Sequence, residues 1–101
     1  MSKPYTPQAS QQFERDVKAV FEKGYDLSEL KTLMTLLIHR KPLNNKYQDH
    51  PLRGRLKRFR DAHISNDPDW ILIYRYADDD KKIIFERTGT HGDIFKPVKK
   101  S

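Results

Sequence analysis

Apolar residues return along this chain in two rhythms. Between Phe13 and Ile38 they recur every three or four positions, and between Leu56 and Thr88 they alternate or run in blocks. Phe13, Val17, Val20 and Phe21 fall on one helix face, with Ser10 placed as the N-cap and Gly24 as the stop. Asp26 followed by Glu29 has capping-box spacing and opens a second helix. Its stripe is Leu27, Leu30, Leu33, Met34, Leu37 and Ile38, which reads as core with no cofactor role. Arg40 and Lys41 suit the negative end of that helix, and Pro42 ends it. The short link Gly24-Tyr25 predicts an antiparallel helical hairpin.

The second half reads as strands. Leu43 to Gly54 is a loop, and Leu56 to Ile64 is expected to be a basic strand. Asn66-Asp67-Pro68-Asp69 is a turn, and Trp70 to Tyr76 has the aromatic and β-branched content of a central strand buried on both faces. A hairpin turn at Asp78-Asp79-Asp80 leads into a strand from Lys82 to Thr88. Residues 1–9, with Pro4 and Pro7, form an extended lead-in or a short edge strand, and residues 96–101 a mobile basic tail. The expected fold is therefore α+β: one domain over residues 1–101, an N-terminal helical hairpin packed on a three-strand antiparallel meander.

Composition narrows the function classes. A chain of 101 residues builds one modest core and has no room for a separate cofactor domain. Charged residues are 34% and mean hydropathy is −0.91, yet the apolar residues sit in blocks, which favours folding over disorder. A net charge of +6 and a pI near 9.6 favour a polyanionic partner, nucleic acid or an acidic protein. The absence of cysteine rules out disulfides and thiolate zinc sites and fits a reducing compartment. No apolar run reaches the length of a membrane helix, and Met1-Ser2-Lys3-Pro4 lacks a signal peptide's apolar region, so a soluble cytoplasmic protein is expected.

Two groups of residues suggest chemistry. Arg53, Arg55, Lys57, Arg58 and Arg60 crowd into one short segment, and guanidinium groups suit phosphate because they donate two parallel hydrogen bonds. On a strand, Arg58 and Arg60 would share a face, and if Arg75 and Arg87 on neighbouring strands share a face with Arg60 they build a small cationic platform. The second group is His50, His63 and His91, with Asp61, Asp67, Asp69 and Asp93 near them in sequence. His91 stands on a glycine-flanked turn between Gly89 and Gly92, just past a strand end. RNA can be cut without a metal when a base takes the 2′-hydroxyl proton, cations stabilise the phosphorane and an acid protonates the leaving 5′-oxygen. Histidine serves as either acid or base. His63 and Asp69 are expected at the same sheet end, whereas His91 joins them or lies opposite. Ordinary surface histidines are the alternative. No pair has the helical spacing of a two-histidine zinc site, so no metal site is expected, and His39 reads as a helix-end residue.

Several ordered motifs resemble one family. Asp49-His50-Pro51-Leu52, Gly54, Arg60-Asp61-Ala62-His63, Pro68-Asp69-Trp70-Ile71-Leu72-Ile73-Tyr74 and Arg87-Thr88-Gly89-Thr90-His91 with Phe95 resemble the YafQ toxins of the RelE/ParE superfamily. The helix block Leu33 to Ile38 is also similar to theirs. The resemblance implies a RelE-like fold and a ribosome-dependent mRNA endonuclease that cuts the codon in the A site. It implies His50, His63, Asp69 and His91 as the acid–base group, with Trp70 and Phe95 supporting it; Arg53, Arg55, Arg58, Arg60 and Arg87 are the phosphate-binding candidates. It also implies an acidic antitoxin of DinJ or RelB type that forms a hetero-oligomer and carries the complex to operon DNA, with the 70S ribosome and mRNA as further partners and no cofactor. Ile64-Ser65-Asn66-Asp67 departs from the pattern by a small insertion, which makes Asp67 a competitor of Asp69. Two other readings stand: a non-catalytic ParE-like toxin that binds DNA gyrase, and a general RNA-binding module stacking bases on Tyr74 or Phe59.

Overall fold

The structure, a computed structural model, describes residues 3–95. The expected basic tail at 96–101 lies outside them. Two helices, α1 (Gln11–Glu22) and α2 (Leu27–Ile38), cover one face of a sheet. The sheet comprises β1 (Thr6–Ala9), β2 (His50–Pro51), β3 (Phe59–Asn66), β4 (Asp69–Ala77) and β5 (Lys82–Gly89). A single helical turn, α3 (His91–Ile94), follows. This is the expected α+β class, with more strands than the meander foresaw. The order is β1-β5-β4-β3-β2, with β1 parallel to β5 and the other neighbours antiparallel. The meander β3-β4-β5 is thus the middle of five strands, and the N-terminal lead-in is an edge strand.

Cap chemistry explains the helix ends. The Ser10 side chain accepts from the Phe13 N–H and the Asp26 side chain from the Ser28 N–H. Gly24, at φ 87°, closes α1 in a Schellman arrangement: its N–H reaches the Phe21 carbonyl, and the Tyr25 N–H reaches Val20. The same motif ends α2 before Pro42, and there the left-handed residue is Arg40 at φ 58°. A side chain is useful at that position. The Arg40 guanidinium lies 3.8 Å over the Tyr5 ring and donates to the carbonyls of Lys3 and Asp80, tying the helix end to the β1 side of the sheet.

The core lies between the helices and the sheet. Phe13, Val20, Leu30, Leu33 and Leu37 meet Ala62, Trp70, Leu72, Tyr74, Ile83 and Phe85. β4 is buried on both faces as expected, because Ile71 and Ile73 on the opposite side are also covered. On α1, however, Phe21 is 62% exposed, and the inward position between Phe13 and Val20 is taken by Asp16.

The basic strand begins later than expected. Gly54–Leu56 is a turn of 3-10 helix with Gly54 at φ 64°, so Arg53, Arg55, Lys57 and Arg58 sit on an exposed loop and only Arg60 lies on β3. The charged run has no alternating apolar positions to bury, and that removes the drive to pair. In the segment Ile64–Asp67, where an insertion was expected, register slips between His63 and Ser65, and the turn at Asp67-Pro68 contains a cis peptide bond.

Candidate active site

Strand alternation sorts β3 into two sets. Arg60, Ala62 and Ile64 turn toward the helices, and Phe59, Asp61 and His63 turn to the open face. Register then brings His50 beside Asp61 on one side and Ile73 beside it on the other. The third histidine arrives from β5. Thr90 caps α3 by accepting from the Asp93 N–H, so the glycine-flanked segment is a helix start rather than a plain turn. His91 is the first residue of α3, and its ring reaches back over β3.

The result is one carboxylate ringed by three imidazoles. Asp61 is almost wholly buried. Its Oδ2 lies 3.3 Å from His91 Nε2 and 3.9 Å from His50 Nε2, and its Oδ1 lies 3.9 Å from His63 Nε2. The His63 and His91 rings are 5.2 Å apart between centroids, and those of His50 and His63 6.5 Å. His91 therefore joins the other two at one end of the sheet.

Asp69 clamps His91. It accepts from the His91 backbone N–H at 2.8 Å and lies 2.8 Å from Nδ1, which directs Nε2 toward Asp61. Burial opposes charge on His91, but the hydrogen bond and charge of Asp69, together with Asp61, outweigh it and raise the His91 pKa above its ordinary 6.5. Asp69 responds in the opposite sense. Burial pushes it up, but the two His91 hydrogen bonds and the neighbouring imidazoles win and hold it below 3.8. Asp67 is exposed on the turn. Of the two competitors, Asp69 is the one that meets a histidine.

Beside the cluster runs a groove of about 380 Å³ lined by Leu52, Leu56, Phe59, Ile73, Arg87 and Phe95, among others. Phe95 is 41% exposed and stacks on His91 at 6.2 Å between ring centroids. Arg87 is held by Asp16, which accepts from its Nε at 2.7 Å and from the Thr88 N–H at 3.1 Å.

A match to the family described as bacterial toxin of type II toxin-antitoxin system, YafQ, runs over residues 5–96. The chain belongs to the YafQ toxin family. It is 51% identical over 87 residues to the mRNA interferase toxin YafQ of Escherichia coli strain K12, covering 85% of this chain and 90% of that one. Among solved structures it superposes on the E. coli DinJ–YafQ toxin–antitoxin complex with TM-score 0.81 at 47% identity, covering 91% of this chain and 98% of that one. A metal-bound toxin from Helicobacter pylori matches with TM-score 0.81 at 35% identity, over 90% and 99% of the two chains.

In this YafQ-family chain two expected site residues lie elsewhere. Trp70 is 1% exposed on the helix-facing side, where its indole N–H donates to Thr88 Oγ1 at 2.9 Å and its ring meets the edge of Tyr25. It is a core residue and has no surface to offer a substrate. Arg60 also points to the helix side, and both oxygens of Asp49 hold its guanidinium at 3.2 Å. The platform of Arg60, Arg75 and Arg87 therefore does not form, and Arg75 is itself paired with Glu86 at 2.6 Å. Arg53, Arg55 and Arg58 remain exposed on the loop between β2 and β3.

Asp61 stood among the nearby carboxylates in the sequence but received no role there. Its signal was the i, i+2 spacing to His63 on a strand, which puts both on one face. His50, Asp61 and His63 also offer ligand atoms within 4.8 Å of one another, a grouping able to hold a metal ion. It escapes a search for helical spacing because sheet register, not chain spacing, assembles it.

Proposed function

We propose that this chain is an mRNA interferase whose acid–base group is His50, His63 and His91 around Asp61, with Asp69 orienting His91. The convergence of three imidazoles on one buried carboxylate carries this reading. His91 is the general acid: its raised pKa favours the protonated ring, Asp69 holds Nδ1, and the Nε2 proton, directed at Asp61 in the free protein, is the one given to the leaving 5′-oxygen. His50 and His63 supply the base that takes the 2′-hydroxyl proton. Asp61 supports the charged form of His91 and keeps the three rings together. The exposed arginines of the 53–58 loop draw the RNA backbone in, and Phe95 offers a base a stacking surface.

The family supports the setting. The E. coli relative is an mRNA interferase, and its toxin is bound by DinJ in the solved complex. A cognate acidic antitoxin is therefore the proposed partner of this +6 chain, forming an inert hetero-oligomer that reaches operon DNA through the antitoxin. The proposed substrate is the codon in the ribosomal A site. Primer extension on a translated message tests the cleavage reading. Wild type should give cuts phased to codons, and His91→Ala should give none. Growth arrest that survives His91→Ala would defeat the catalytic reading and favour a non-catalytic toxin such as a gyrase binder. Cuts on free RNA without ribosomes would defeat the A-site reading alone.

A further inference from the structure

We propose that Asp49, Arg60 and Tyr74 form a positioning group that sets the place of His50 from the far side of the sheet. The proposal rests on the reading of His50 as part of the cleavage group. The strand carrying His50 is weakly tied. β2 has two residues, and the second, Pro51, has no backbone N–H to donate. Beyond the pairs His50↔Asp61 and Pro51↔Arg60, the next bond runs from the Leu52 N–H to the Phe59 carbonyl at 2.9 Å. His50 itself is half exposed, and among the described residues its Nδ1 meets only its neighbour's carbonyl, at Pro51.

Asp49 supplies the missing constraint. Its side chain turns to the helix-facing side, opposite to His50, as alternation along an extended chain requires. There Arg60 donates from Nε and Nη2 at 3.2 Å each, and the Tyr74 hydroxyl donates at 2.6 Å. Tyr74 is fully buried in the central strand, so its hydroxyl is a rigid post. Charge-assisted bonds from two strands thus clamp the residue directly before His50. A ring displaced by about an ångström from a working geometry costs on the order of a hundredfold in rate. The clamp holds a group that the short edge strand alone would leave loose.

Three variants test this in the full-length toxin: Asp49→Asn, Tyr74→Phe and His50→Ala, with the two double variants that contain His50→Ala. Tyr74→Phe keeps the ring in the core and removes only the hydroxyl. Asp49→Asn and Tyr74→Phe should each lower the kcat for message cleavage on translating ribosomes by about tenfold with KM little changed. In the His50→Ala background neither should lower it further, because the effect runs through His50. In NMR spectra of the free toxin both should shift the His50 ring resonances and leave those of His63 and His91 in place. Unchanged cleavage in both single variants, or an equal loss with His50 absent, would overturn the proposal. So would His50 resonances that do not move. Because the spectra need no cleavage, they judge the positioning claim even where His91→Ala shows the catalytic reading to be wrong.

Discussion

On β4, Trp70, Leu72 and Tyr74 face the helices, and Ile71 and Ile73 between them face the side where the histidines gather. On β3 the contrast is sharper: Ala62 enters the core while Asp61 and His63, its neighbours, form the cluster. The same strands therefore serve two faces under different rules. The helix face is close-packed and mostly apolar, and its polar groups are satisfied in place, as where the Trp70 N–H meets Thr88 and Arg60 meets Asp49. The open face keeps a buried carboxylate whose Oδ1 has no hydrogen-bond partner among the described residues. Unsatisfied buried charge is costly, so Asp61 is tolerable only beside groups able to carry positive charge. One face supplies stability, and the other spends some of it on reactivity.

Substitutions that separate the two faces give the largest effects. His91→Ala should lower cleavage by about 10²–10⁴-fold, the usual worth of a general acid, while the thermal midpoint changes little. Loss of folding instead would merge the two faces. Leu33, wholly buried in α2, is the converse case. Leu33→Ala should destabilise by about 2–5 kcal/mol in urea titration, with cleavage per folded molecule retained. A cleavage defect larger than the unfolded fraction explains would show that the core also tunes the site.

A metal ion gives an effect on the open face alone. Zinc or copper seated on His50, Asp61 and His63 would occupy the lone pairs that acid–base chemistry needs. Added metal should therefore inhibit cleavage and a chelator restore it, with no inhibition in His50→Ala measured against its own residual rate. Stimulation by metal would contradict the assigned roles.

The pH dependence of stability is subtler. His91 has a raised pKa, so its contribution is full below the unfolded value of 6.5 and is lost as pH rises through the folded value. Asp69 is lowered, so its contribution is present above 3.8 and is lost as pH falls through its folded value. The pair contributes fully between those two unfolded values. The gap in thermal midpoint between wild type and Asp69→Asn should be widest near pH 5, roughly mid-window, and narrow toward alkaline pH. A gap that grows with alkalinity would contradict the raised His91 value. The smallest effect belongs to the loop. Arg58→Gln should weaken RNA association modestly and flatten its salt dependence by about one counterion.

The features legible in the sequence were local. Helix caps at Ser10 and Asp26, the stop at Gly24 and the buried run of β4 follow from neighbours a few positions apart, where period and cap chemistry act directly. The histidines were visible as motifs. Their meeting was not, because it depends on register between strands distant in the chain. Tertiary structure alone decided that Thr6–Ala9 runs parallel to β5, and that Asp16 rather than Phe21 faces inward to receive Arg87. It also decided that Arg60 and Trp70 turn away from the open face. A one-residue change in strand phase reverses every side chain. The basic loop at 53–58 and the register slip after His63 set that phase on β3. Amino-acid order named the chemical groups, and pairing across the sheet chose which of them share a face with Asp61.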